Sequence, residues 1–138
     1  MTNDAPPSGT ANPPRGATNP FDNRGFRTVY MAHHAKGFLA DQIRVLRGNR
    51  SQRAFGELIG KPQSVVSRLE NEEYGKLTLQ TLLDIAEKLD IALEVRFVDY
   101  PTFIRGLRDP SKNQVPAGYD EAMKAVAEAR DPSDKQAA

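Results

Sequence analysis

The stretch SQRAFGELIGKPQSVVSRLEN, Ser51 to Asn71, constrains this chain more than any other, because its pattern calls for two short amphipathic helices meeting at a tight corner. Ser51 is a good N-cap, and behind it Phe55, Leu58 and Ile59 share one face of the first helix. Gly60 supplies the left-handed residue that ends that helix, where a side chain would be strained. Lys61 precedes Pro62, whose ring pushes it out of helical angles and into the turn. A second helix then starts at Pro62 or Gln63, with Val66 and Leu69 three apart on its buried side. Gln63, Ser64, Ser67 and Arg68 are left on the opposite side, a polar face without a carboxylate. Gly56 weakens the first helix by about 1 kcal/mol relative to Ala, yet lets the two helices approach closely.

The flanking sequence supplies a bundle for this corner to pack on. Leu39, Ile43 and Leu46 fall at i, i+4 and i+7, the core stripe of a helix that starts between Thr28 and Lys36 and ends near Gly48-Asn49. After the corner, Thr78 is a credible N-cap for a helix to about Leu89, with Leu79, Leu82, Leu83, Ala86 and Leu89 facing inward. One helix is too short for these leucines to be a zipper. The period then changes. Leu93, Glu94, Val95, Arg96, Phe97 and Val98 alternate apolar and polar and are rich in β-branched and aromatic residues, a strand signature that Pro101 ends. No second strong strand is available to pair with it, and unpaired backbone groups need partners. The economical partner is the same strand of a second copy, antiparallel about a two-fold axis near Val95, which sets Glu94 against Arg96 across the pair. The alternative is a strand folded back on its own domain at Thr102–Ile104.

The ends of the chain are polar. Residues 1–25 hold five prolines through Pro20 among Asn, Gly, Ser and Thr, which predicts a disordered arm; its arginines, Arg15 and Arg24, with Arg27 just beyond, are available to an anionic partner. Thr102–Leu107 reads as a short helical turn carrying Phe103, Ile104 and Leu107. Asp109–Gly118 is linker-like. Tyr119–Arg130 has an alanine-rich helical pattern, acids first and bases later as the helix dipole favours, but its narrow apolar face (Ala122, Met123, Val126, Ala129) makes it marginal. Asp131–Ala138 reads as a disordered tail. The organisation expected is therefore an arm over 1–25, a helical domain over 28–91, a dimerisation strand and helical turn over 92–108, and linker, marginal helix and tail over 109–138.

The 138 residues are one domain's worth, with no long apolar run for a membrane span, no secretory leader pattern and no cysteine. These features suit a cytoplasmic, reducing environment. His33-His34, the only histidines, have no companions at ligand spacing, so no metal site is expected, and an exposed helix start is their default setting. There is no nucleophile–base–acid set and no glycine-rich phosphate loop, so neither catalysis nor a cofactor is expected. The formal net charge of +1 conceals a polarity. Between Asp41 and Arg68 six basic residues face two acidic ones, whereas between Glu70 and Glu94 seven acidic residues face two basic ones. The basic half contains the corner, as expected of a surface that meets phosphates.

The corner resembles a known family. Ser51-Gln52, then Gly60, then Gln63-Ser64-Val65-Val66-Ser67-Arg68-Leu69-Glu70-Asn71 is similar to the Cro/C1-type (XRE) helix-turn-helix repressors, and Leu79-Gln80-Thr81-Leu82-Leu83-Asp84-Ile85-Ala86 is similar to the fourth helix of that family. The likeness covers roughly Phe38 to Phe97. It departs at Arg53-Ala54, Phe55-Gly56, Pro62 and the Glu72–Lys76 loop, none of which removes the polar face. The strand resembles the one that joins two such domains in antitoxins partnering kinase toxins. The fold class expected is mainly α, a lambda-repressor-like bundle of four to five helices plus one C-terminal β-strand pairing across a homodimer through Leu93, Glu94, Val95, Arg96 and Phe97.

On this reading the partner is double-stranded DNA. Base edges would be read by Gln63, Ser64, Ser67 and Arg68, with Gln63 suited to adenine N6 and N7. Phosphates would be held by Arg47, Arg50, Lys61, Lys76 and Asn71, and, by the resemblance, by Gln52, which would also brace Gln63. Arg68 has a plainer alternative, an ion pair with Glu72 four residues on. Glu70 reads as structural, since phosphates repel a carboxylate. The function expected is a nucleoid-associated, sequence-specific transcriptional repressor working as a homodimer on a palindromic operator. The alternatives are an antitoxin that represses its own operon, with a toxin protein as partner of the C-terminal helix, and an interaction module that has lost DNA binding, favoured by the acidic Glu70–Glu73 loop.

Overall fold

Two asparagines open the described part of the chain. The computed structural model describes residues 19–74 and 76–134, with side chains to 130. Asn19 accepts a hydrogen bond from Phe21 N (3.0 Å) and caps a 3₁₀ turn at Pro20–Asp22; Asn23 accepts one from Phe26 N (2.9 Å) and caps helix α1, Arg24–Arg47. Helix α1 thus begins earlier than the expected window of Thr28 to Lys36 and takes in the last residues of the span expected as an arm, whose first eighteen residues lie outside the described ones. The remaining helices are α2 (Gln52–Ile59), α3 (Gln63–Leu69), α4 (Leu79–Leu89), α5 (Tyr100–Gly106) and α6 (Tyr119–Asp134), with a second 3₁₀ turn at Pro110–Asn113.

The principal core lies where α1, α2, α3 and α4 meet. Ile43, Phe55, Ile59, Val66, Leu69 and Ile85 are buried together, with Leu46, Val65, Leu77, Leu82 and Leu89 packed around them. Removing side chains of this size from water is the main term holding such a bundle together. Three leucines assigned inward sit elsewhere: Leu58, Leu79 and Leu83 are 40%, 57% and 44% exposed. In α4 the core side is the i, i+3, i+4, i+7 set Leu82, Ile85, Ala86 and Leu89, and Leu79 and Leu83 fall off the edge of that stripe.

A second, aromatic cluster joins the first half of α1 to α5. Phe21 meets Phe26 and Tyr30 edge-on at 5.5 and 5.2 Å between ring centroids, and Phe103 meets Tyr30 at 6.4 Å and His34 at 5.3 Å. His34 also stacks on Phe38 at 5.8 Å. It is therefore half-buried rather than set on an exposed helix start, and burial, then the nearby Lys112 and His33 charges, lowers its pKa from the usual 6.5. Arg27 caps the same region, bonding the Phe21 and Asp22 carbonyls at 3.3 Å with its guanidinium 5.7 Å from the Tyr100 ring centre. These contacts make Arg27 a structural cation.

The expected β-strand at Leu93–Val98 is not formed. Residues 91–99 carry no regular structure, and no strand occurs among the described residues. The local geometry is nonetheless extended in kind, since Glu94 and Arg96, two apart, share a side and pair at 3.1 Å. Leu93 is half-buried, Val95 is 69% exposed and Phe97 is fully exposed. A ladder needs a second backbone, and the described residues supply none. Pro101 stands in the first turn of α5, which Asp99 caps through Thr102 N (2.9 Å), so the proline both ends the extended run and opens the helix. The α6 helix is tied to the end of α4 by Tyr119 N donating to the Asp90 carbonyl at 2.9 Å. It continues to Asp134, into the segment expected to be a disordered tail; residues 135–138 lie outside the described ones. No helix among the described residues is long and apolar enough to cross a membrane.

Candidate nucleic-acid interface

The corner is built by the residues whose types demanded it. Ser51 Oγ accepts from Ala54 N at 3.0 Å to start α2, and Gly60 ends it at φ 71°, ψ 33°. Lys61 N returns to the Gly56 carbonyl at 2.8 Å, and Pro62, in extended geometry, precedes α3 without a side-chain cap. A Cβ on Gly56 would lie 2.4 Å from the Lys61 carbonyl oxygen and 3.4 Å from Val66 Cγ2, so only glycine lets the turn close this tightly. Helix α3 then buries Val66 and Leu69 and leaves Gln63, Ser64, Ser67 and Arg68 exposed together, with no carboxylate among them.

Beneath this face runs a chain of hydrogen bonds that ends on a buried acid. Glu70 is only 5% exposed. Its Oε1 accepts from Arg47 Nε and its Oε2 from Gln52 Nε2, each at 2.8 Å, while its backbone carbonyl accepts from Arg44. Gln52 Oε1 in turn accepts from Gln63 Nε2 at 2.9 Å. A buried carboxylate is tolerable only when paired, and here both oxygens are bonded. The chain fixes the direction of the Gln63 amide. One of its two N–H groups is taken by Gln52, and Oε1 and the other N–H are left outward, the acceptor and donor that adenine N6 and N7 require.

The cations divide into two groups. Arg47 points inward, and besides Glu70 it holds the Arg50 carbonyl at 2.9 Å. Lys61 Nζ lies 3.1 Å from Asp84, whose pKa is lowered by its bond from Gln80 and then by Lys61 itself. Arg50, Arg68 and Lys76 are exposed and make no ion pair among the described residues. The Arg68 guanidinium sits 5.9 Å from the Tyr74 ring centre rather than on Glu72. Asn71 Oδ1 accepts from Glu73 N at 3.0 Å and shapes the loop after α3. Arg44 was not singled out from the sequence. Its bond to the Glu70 carbonyl, together with its pair to Asp41, makes it a second clamp on the end of α3, and no local pattern announces that long-range contact. No group of acidic and histidine side chains among the described residues has the geometry of a metal site.

Comparison with known families agrees with this geometry. Residues 42–95 match the model of a family described as helix-turn-helix. Comparison with curated proteins and with solved structures produced no match. The match opens in the second half of α1 and closes in the extended segment, so it spans the core, the corner and α4 but neither α5 nor α6, and it lends no support to the likeness with kinase-toxin antitoxins. Residues 42–95 of this chain are a helix-turn-helix domain, with α2 and α3 as its two helices.

Proposed function

We propose that this protein is a transcriptional regulator of the Cro/C1 type that binds double-stranded DNA sequence-specifically, as a homodimer on a two-fold symmetric operator, and represses by occupying it. One observation carries the reading: the exposed, carboxylate-free face of α3, on which Gln63 is held in one orientation by Gln52 and Glu70. Helix α3 enters the major groove; Gln63 reads an adenine, Ser64, Ser67 and Arg68 contact neighbouring bases or phosphates, and Arg50 and Lys76, with the Asn71 amide, hold the backbone. Gln52 serves mainly as the brace for Gln63. The unpaired extended segment at 91–99 supports the dimer, which would set two α3 helices about 34–36 Å apart, one turn of DNA.

The test is a salt-dependent titration of Gln63→Ala and Arg50→Ala on selected and random duplexes. Gln63→Ala should lose about 1–3 kcal/mol on the selected site and little on random DNA. Arg50→Ala should weaken both alike and reduce the salt slope by about one unit. Identical behaviour of the two variants on both duplexes would contradict this division of labour.

A further inference from the structure

A largely apolar groove of about 280 Å³ opens between α1, α4 and the segment 112–116, with Leu39, Ile43, Leu82, Ile85, Ile91 and Leu93 among its walls. It is roomy enough for an aromatic ring, since a cavity of roughly 150 Å³ admits benzene. Four residues along the chain from Leu93, one wall of the groove, stands Phe97, fully exposed, a large apolar side chain with no cover of its own. We propose that this groove is the socket for Phe97 of a second copy, so that the homodimer is closed by two reciprocal aromatic knobs. The inference rests on the homodimer reading above and specifies how its interface is built.

The geometry of the extended segment carries it. Glu94 and Arg96 pair on one side of that segment, which puts Leu93, Val95 and Phe97 on the other. Antiparallel pairing about a two-fold axis at Val95 sets Phe97 of each copy opposite Leu93 of the other, on the same face. Leu93 is a wall of the groove, so the incoming ring arrives at its mouth. The same register sets Glu94 opposite Arg96 across the pair, so the ion pair now made within the chain is exchanged for two between chains. Charge and apolar patterns thus select one register, and the contact is self-complementary, as a two-fold interface must be.

The chain has no tryptophan and no cysteine, so both can be introduced as unique probes. Sedimentation of the 138-residue chain should show a dimer, and Phe97→Ala should weaken dimerisation by about tenfold or more, with an unchanged far-ultraviolet spectrum because Phe97 touches no core. Phe97→Trp should shift its emission to the blue as concentration carries it through dimerisation. In mixed samples, a nitroxide on Asn113→Cys, exposed at the edge of the groove of one copy, should quench the Phe97→Trp emission of the other. A dimer in which that tryptophan stays solvent-exposed and unquenched would overturn the socket while leaving the dimer standing. A protein that remains monomeric at every concentration would overturn both.

Discussion

On the proposed reading, Gln63 serves as a base reader because two other side chains, Gln52 and through it Glu70, decide where its amide points. The route from Gln63 through Gln52 to Glu70 and Arg47 crosses from the exposed face to the buried interior within four residues. Removing its buried end should therefore do more than remove one contact. Glu70→Ala strips Arg47 of its ion pair and the Gln52 N–H of its acceptor, and should cost about 3–5 kcal/mol of folding stability, read from urea unfolding. Gln52→Ala should leave stability within about 1 kcal/mol but relax base preference at the position Gln63 reads, seen by comparing affinities for single-base variants of the site. Gly56→Ala places a methyl against the Lys61 carbonyl and should destabilise by about 1–3 kcal/mol despite Ala's better helix propensity, again by urea unfolding. His34 has its own signature. Its folded pKa lies below 6.5, so the unfolded chain binds the proton first as pH falls, and stability should decline as pH drops below about 6.5. In His34→Gln this part of the pH dependence should be gone. The polar face was legible in the sequence because it depends only on residue type and helical spacing. Which cations stay free was not: Arg47 and Lys61 look like Arg50 and Lys76 in sequence, and only folding brings Glu70 and Asp84 beside the first two.

At the scale of elements, local signals succeeded and long-range ones did not. Ser51, Gly60, Pro62 and Thr78 act within one turn of themselves, and the bounds of α2, α3 and α4 follow from them. Asn23 caps the start of α1 locally, but that end of the helix is also held by Phe21 against Tyr100 and Tyr30 against Phe103 far along the chain, contacts with no sequence periodicity to announce them. The alternation of 93–98 reads as a strand that the described residues do not form, because a strand is a property of two backbones and alternation names no partner. The aromatic cluster should be a real contributor: Phe103→Ala, at a half-buried site, should lower stability by about 1–3 kcal/mol, below the 3–5 of a fully buried ring, and should loosen α5 in hydrogen exchange before the helix-turn-helix opens.

At the scale of the whole molecule, one seven-residue recognition helix would cover little more than a half-site, and the proposed homodimer is what would extend it. Selection from a randomised duplex library with the purified 138-residue chain tests this most directly, run beside Gln63→Ala. The account predicts a two-fold symmetric motif whose half-sites lie about one helical turn apart, with preference lost at one position of each half in the variant. A motif with a single half would keep α3 as the reader and contradict the dimer. No enrichment over random DNA at low salt would contradict the central claim that α3 reads base sequence.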